Sequence, residues 1–374
     1  MKNLFKKHKI KIILVLVLFL VFAYLGNSGF FSKHNYEITN DKKDTVISNP
    51  ELSVVIKDEE VKKENADEFS DEAVTPYGQE SCKDSTRRSI AVMLATDAIT
   101  RPLSGISEAD IVFEMPVITD SITRLMAVFG CTLPKEIGSI RSARHDFIDL
   151  ANSIDAIYAH WGGSHFALDN LKIGTIDELD ALVNPYSVFY RKNNLPAPHN
   201  GFTNGEKLLE SAKKLGYRVE NKFKGFSRVE CEKESNQSIK CKDAVDGTLK
   251  IGYPGEFRVE YKYDAATNSY QRSRGGKKEI DRNNKKQVTA KNVIVMFAVS
   301  KQIEGDYNDV ALEGKGRAEF YVNGGKTEGI WQKNPSSAKF YYLDNFGTEI
   351  KFALGNIWVE IMQTDQKTEW KVNN

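Results

Sequence analysis

The run Gly138-Ser139-Ile140-Arg141-Ser142-Ala143-Arg144 sets two guanidiniums three positions apart among small residues. A guanidinium is permanently charged and forks onto carboxylate or phosphate, so this spacing suits recognition of an anion. Ser139 or Ser142 would cap a helix beginning near Arg144, and the positive end of that helix would add to the arginines. The competing reading is plain pairing with Asp146, Asp149 or Asp155. Upstream, residues 111–116 carry Glu114 and residues 122–126 carry Arg124. A hairpin centred on Thr119 would set Glu114 opposite Arg124 across the ladder. That pair is either a cross-strand ion pair or a carboxyl tuned by its partners to work as general acid or base.

Residues 157–165 read as a strand, a glycine turn and a helix start. His160 at the strand end is a candidate proton carrier, and Trp161 and Ser164 are candidates to touch a ligand, the indole by stacking on a sugar ring. Arg191 and the loop Pro196-Ala197-Pro198-His199-Asn200-Gly201 supply a further guanidinium, a histidine and an amide that would close over a site. A satisfied structural histidine, a core tryptophan and an ordinary turn are the plain alternatives. Gly162-Gly163-Ser164 does not match the nucleophile elbow of serine hydrolases, and the chain has no HExxH, phosphate loop or dinucleotide fingerprint. No metal and no cofactor are therefore expected.

These side chains need elements to hold them. Apolar runs at 90–95, 111–116, 122–129 and 154–160 read as strands, and 145–152 and 205–215 as helices, the second stopped by Gly216. From about residue 250 the texture changes to short alternating segments separated by turns such as Asn323-Gly324-Gly325. Gly329–Lys333 and residues 356–359 there are aromatic and core-like. The expected class is α+β: an N-terminal α/β-type mixed-sheet domain at 86–230, a polar linker at 231–248, and a mainly antiparallel β domain at 249–365.

Ahead of these lies a basic tip, an apolar run from Ile12 to Leu25, and then a stretch from Asp41 to Glu80 with 12 acidic residues and 5 lysines. Basic residues before the apolar run place the bulk of the chain outside the cytoplasm, with 1–33 as a signal anchor, a cleaved signal peptide being the alternative, and 34–85 as a disordered acidic stalk. The balance of 52 basic against 51 acidic residues argues against a nucleic-acid partner. Four cysteines, Cys82, Cys131, Cys231 and Cys241, allow two disulfides in an exported protein. The favoured pairing is Cys82–Cys131 and Cys231–Cys241, the alternative four reduced thiols.

Residues 101–114, 122–125, 137–144, 159–164 and 197–200, with 292–295 and 329–333 near the other end, together resemble the YerB-like family of bacterial exported proteins, a family of unknown function. The resemblance covers most of 90–361 and implies two exported domains, the first bearing the polar residues. Members are usually lipoproteins, whereas here no cysteine follows the apolar run closely. The first expected function is binding of cell-wall glycan or another anionic envelope ligand through Arg124, Arg141, Ser142, Arg144, Trp161, Ser164, Arg191, His199 and Asn200. A second is a peptidoglycan-cleaving enzyme, lytic-transglycosylase-like, with Glu114 and His160 catalytic. A third is an interaction scaffold with no small ligand, in which Glu114, Arg141 and Arg144 pair among themselves.

Overall fold

Six apolar residues, Ile90–Ala95, are buried along their whole length, and that texture marks the centre of the fold. Strands covered on both faces read as continuous apolar runs rather than as alternating ones. The computed structural model describes residues 76–79, 82, 84, 86–229, 244–334 and 338–372, and the backbone of 232–234 and 238–240. All of them fall within one compact unit, Phe69–Asn374. The expected anchor at 1–33 and the Cys231–Cys241 pair lie outside the described residues. No helix among the described residues is long and apolar enough to cross a membrane.

The first half contributes β1 (Ile90–Ala95), β2 (Ile111–Pro116), β3 (Thr123–Phe129), β4 (Ile157–His160) and β5 (Glu178–Asp180). The second contributes β6 (Gly247–Ile251), β7 (Val259–Asp264), β8 (Ser269–Arg274), β9 (Asn292–Ala298), β10 (Ser300–Glu304) and β11 (Tyr307–Val310). Then come β12 (Gly314–Val322), β13 (Gly325–Lys333), β14 (Tyr341–Asp344), β15 (Ile357–Gln363) and β16 (Glu369–Val372). Among the described residues three α-helices, α1 (His145–Ser153), α2 (His165–Lys172) and α3 (Gly205–Lys214), complete the main elements.

A ten-stranded mixed sheet runs β14-β13-β12-β9-β15-β2-β3-β1-β4-β5. Strands of the two halves meet inside it, because β15 lies parallel to both β2 and β9. The expected α+β class is narrowed at this seam: the protein is mostly β with few helices, and one sheet crosses the change of texture. Strand β15 is buried at all seven positions, so its composition carries no sign of which half it joins. A smaller sheet, β8-β7-β6-β16 with Lys277–Lys278 beyond β8, supplies Leu249, Ile251, Tyr261 and Tyr270 to a core shared with Val112, Leu125, Val293 and Trp358. The other face of the large sheet is covered by α1, whose Phe147, Ile148, Leu150 and Ala151 are buried against Met93, Phe113 and Met126. Each large apolar side chain taken from water there contributes about 1.5–3 kcal/mol.

Helix α3 begins with Asn204 accepting a hydrogen bond from the Lys207 amide at 3.1 Å, and Gly216 at φ +78° follows its end, as the sequence suggests. The acidic-stalk expectation fails at its C-terminal end. Tyr77 is fully buried, a side chain on Gly130 would collide with its ring, and the Gly355 amide donates to Gly78 at 2.6 Å. One aromatic anchor inside an acidic stretch is invisible to composition. A disulfide joins Cys82 to Cys131, tying this segment to the end of β3.

Candidate functional site

Register decides the fate of Glu114. In the β2–β3 ladder Glu114 is opposite Leu125 and Met115 is opposite Arg124. Side chains alternate between faces, so a shift of one position puts Glu114 and Arg124 on opposite faces of the sheet. The expected Glu114–Arg124 pair does not form. Glu114 instead points towards the smaller sheet, where Arg272 and Arg274 come from alternate positions on β8.

That environment is sealed. Glu114, Arg272 and Glu360 have no exposed side-chain surface, and Arg274 has 1%. Arg274 Nη1 donates to Glu114 Oε1 at 2.8 Å and its Nη2 to Oε2 at 2.5 Å; Thr123 Oγ1 donates to Oε1 at 2.6 Å. Arg272 bonds Glu114 and Glu279, lies 3.3 Å from Glu360 and stacks 4.2 Å from the Trp358 ring. Tyr261 donates to Glu360 Oε1 at 2.5 Å. Burial would raise the pKa of Glu114, but the two guanidiniums hold it below the ordinary range. Burial and the Glu114 charge push Glu360 up to about 7. With Glu360 holding a proton, two cations face two carboxylates. The reading of Glu114 as acid or base is corrected: a carboxylate without solvent access, with both oxygens occupied by guanidiniums, joins two sheets.

On the opposite face the arginines are differently served. Arg124, Arg141 and His199 gather around one carboxylate. Asp97 Oδ2 accepts from Arg124 Nη1 at 3.3 Å and from Arg141 Nη2 at 3.0 Å. Arg141 Nη1 donates to the Pro198 carbonyl at 3.0 Å, and Ser139 Oγ to the His199 carbonyl at 2.7 Å, which fixes the loop carrying His199 beside the guanidinium. His199 Nδ1 lies 2.5 Å from Arg141 Nη2. Arg144 follows on the same segment, stacks 5.4 Å from the Tyr307 ring and donates to the Ala143 carbonyl. The side chains of Arg124 and Arg141 are only 11% and 7% exposed. The Nε atoms of Arg124, Arg141 and Arg144 are all buried without a hydrogen-bond partner.

The electrostatics follow. Burial and the neighbouring Arg141 pull Arg124 down to about 10. Burial lowers Arg144, and burial with Arg141 lowers His199. Burial would raise Asp97, but Arg124 and Arg141 more than offset it and hold the carboxyl below its usual value. Such desolvated cations with unspent donors can grip a phosphate or carboxylate.

The remaining candidates divide. His160 is fully buried; its Nδ1 lies 2.9 Å from the Gly162 carbonyl and its Nε2 3.2 Å from Glu178 without forming a hydrogen bond. Full burial and the backbone carbonyl at Nδ1 fit the structural alternative. Ser164 caps α2, accepting from the Ala167 amide at 3.2 Å. Neither Ser139 nor Ser142 caps α1: the N-cap is Arg144, with no side-chain cap bond, and Ser142 is half-buried. Asn200 is spent on Arg191 at 2.7 Å and the Lys192 carbonyl at 3.1 Å. Arg191 stacks 4.2 Å from the Trp161 ring, and the Trp161 amide donates to the Arg141 carbonyl at 3.0 Å, so this pair adjoins the arginine segment. The single cleft expected to combine Glu114, the arginines and His160 does not form; a smaller group, Arg124, Arg141, Arg144 and His199, does. Nor do Glu114, Arg141 and Arg144 pair among themselves as a scaffold would require.

Sequence reasoning missed Asp97, Arg272, Arg274 and Glu360. For Asp97 a signal existed, since it sits just past β1, where strand gives way to loop. Alternating Arg272 and Arg274 on one strand face was a second, unused signal of a buried acid partner.

Fold and site together define a mostly β protein of mixed and antiparallel sheets with a cation-rich cluster. Comparison with known proteins gives the class a family. Residues 75–218 match the N-terminal domain of a protein family of unknown function, DUF3048, and residues 249–359 match its C-terminal domain. A protein of Bacillus subtilis (strain 168) named "Putative lipoprotein YerB" is 30% identical over 279 residues, 74% of this chain and 81% of that protein. The crystal structure of YerB protein from Bacillus subtilis is similar with a TM-score of 0.67 at 27% identity, covering 76% of this chain and 94% of that one. The chain belongs to this YerB-like DUF3048 family.

Proposed function

We propose that this protein is a membrane-associated, extracytoplasmic protein of the bacterial cell envelope that binds an anionic ligand of the wall through Arg124, Arg141, Arg144 and His199. One observation carries the binding: two nearly buried guanidiniums share a single carboxylate oxygen of Asp97, while three arginine Nε–H donors in the cluster have no acceptor. Burying unpaired charge costs several kcal/mol, so a fold that keeps it has a use for it. The envelope location draws on the lipoprotein name of the Bacillus relative, on the basic and apolar N-terminal residues, and on the Cys82–Cys131 disulfide, which suits an oxidising compartment.

The ligand's phosphate or carboxylate would accept from the guanidiniums, and Asp97 would compete with it. Co-sedimentation of the full-length protein with purified bacterial wall tests this. Wild type should pellet with the wall and an Arg124→Gln/Arg141→Gln double variant should stay in solution. Equal pelleting of both would end the proposal.

A further inference from the structure

The hairpin β10–β11 rests on the start of α1, and three donors meet there. His145 and Asp146 open α1, and Asp309 comes from β11. His145 Nε2 lies 3.2 Å from Asp146 Oδ1 and 3.1 Å from Asp309 Oδ1. A donor atom from each of the three lies within 4.8 Å of the others. Asp146 is buried, and the Val310 amide donates to its Oδ1 at 3.1 Å, so the strand that brings Asp309 also fixes the Asp146 carboxylate. The Asp309 side chain is 51% exposed, which leaves one side of the group open to solvent.

This arrangement asks for a shared positive centre. A neutral imidazole presents one proton at Nε2 and can satisfy one carboxylate, yet two converge on that atom. In a tetrahedral zinc site the metal–donor bonds are about 2.0–2.2 Å, which sets neighbouring donors about 3.3–3.5 Å apart. The two measured spacings fall a few tenths of an ångström short of that, so modest side-chain rotation would admit the ion. One imidazole and two carboxylates suit zinc and its transition-metal neighbours; calcium wants six to eight oxygens.

We propose that His145, Asp146 and Asp309 bind a divalent transition metal of the zinc class, with solvent completing the shell and the ion pinning the hairpin to α1. This revises the expectation of no metal. Asp309 lies 164 residues from His145 in sequence, so no fixed-spacing motif could have shown the group.

The test uses full-length protein stripped with a chelator, dialysed and titrated calorimetrically with Zn²⁺ alone. One equivalent should bind with micromolar or tighter affinity and raise the thermal midpoint by a few degrees. His145→Ala and Asp309→Asn should each weaken binding at least tenfold; Asp309 is exposed enough that the Asn variant should keep the metal-free midpoint. His165→Ala is the control. That ring pairs with Glu304 of the same hairpin at 3.2 Å but is not one of the three donors, so its variant should bind zinc as wild type does. Absence of saturable binding, or binding that survives in both His145→Ala and Asp309→Asn, overturns the proposal. A pH-dependent stability with no zinc response would mean an imidazolium clamp instead, and overturns it equally.

Discussion

Two arginine clusters sit on opposite faces of the same two strands. Towards the smaller sheet, Arg272 and Arg274 meet Glu114, Glu279 and Glu360, and the side chains are 0–6% exposed. Towards α1, Arg124 and Arg141 meet Asp97 alone, with Asp97 22% exposed. The first cluster holds more carboxyls than cations, and the surplus falls on Glu360, which burial and the Glu114 charge make harder to ionise than an ordinary carboxyl. The second holds more cations than carboxyls, and three of its Nε–H donors have no acceptor against one, that of Arg274, in the first. Buried charge that is balanced and closed is a joint, whereas charge that is unbalanced and partly open waits for a counter-ion. The comparison separates two kinds of arginine that look alike in sequence.

The largest expected effect lies in the closed cluster. Glu114→Gln leaves two buried guanidiniums facing a neutral amide, and breaking a buried pair of this kind costs about 3–5 kcal/mol. Urea unfolding of the variant should show that loss; a change under 1 kcal/mol would mean the cluster is not a joint. In the open cluster, Arg141→Gln removes a charged donor, and hydrogen bonds to charged groups contribute about 1.5–3 kcal/mol, so affinity for anionic wall material should fall roughly 10- to 150-fold. Stability should change little or rise, because a desolvated cation has been removed. A large loss of stability without a loss of binding would reverse the roles assigned to the two clusters.

The pH response is a subtler separation. Glu360 has a folded-state pKa of about 7 against an ordinary 4.5. Its stabilisation is complete below the ordinary value and is lost as pH rises towards 7, because the fold must then give up a proton it holds. Glu360→Gln mimics the protonated form. Unfolding midpoints at pH 5 and pH 8 should converge in the variant relative to wild type. If the wild-type slope persists, another group carries it. Smallest of all, Asp97→Asn removes the internal competitor from the open cluster and should tighten anion binding a few-fold, read as a lower Kd for inorganic phosphate.

Much of the secondary structure was legible. Residues 90–95, 111–116 and 205–214 carry continuous apolar runs or a helical stripe with a glycine stop, and periodicity reads these directly. What stayed hidden depended on partners distant in sequence. The one-position register of β2 against β3 decides which face Glu114 takes, and the turn residues between them do not settle it. The pairing of β15 with β2 joins residues about 250 positions apart through two runs that are apolar apart from Glu114, Glu360 and Gln363, and neither run names its neighbour. The site was half legible for the same reason. Arg124, Arg141, Arg144 and His199 could be picked out by charge and by loop position. Asp97 carried only the signal of its place at the end of β1, because a lone acid does not announce arginine partners 27 and 44 positions away.

The central claim is that the open cluster, and not the closed one, receives an anion. Arginine-labelled NMR of the guanidinium Nε–H groups, recorded while inorganic phosphate is titrated into the full-length protein at low salt, tests it most directly. The account predicts saturable shifts at Arg124, Arg141 and Arg144, with Arg272 and Arg274 unmoved. Shifts confined to exposed arginines elsewhere, or equal in both clusters, would contradict it.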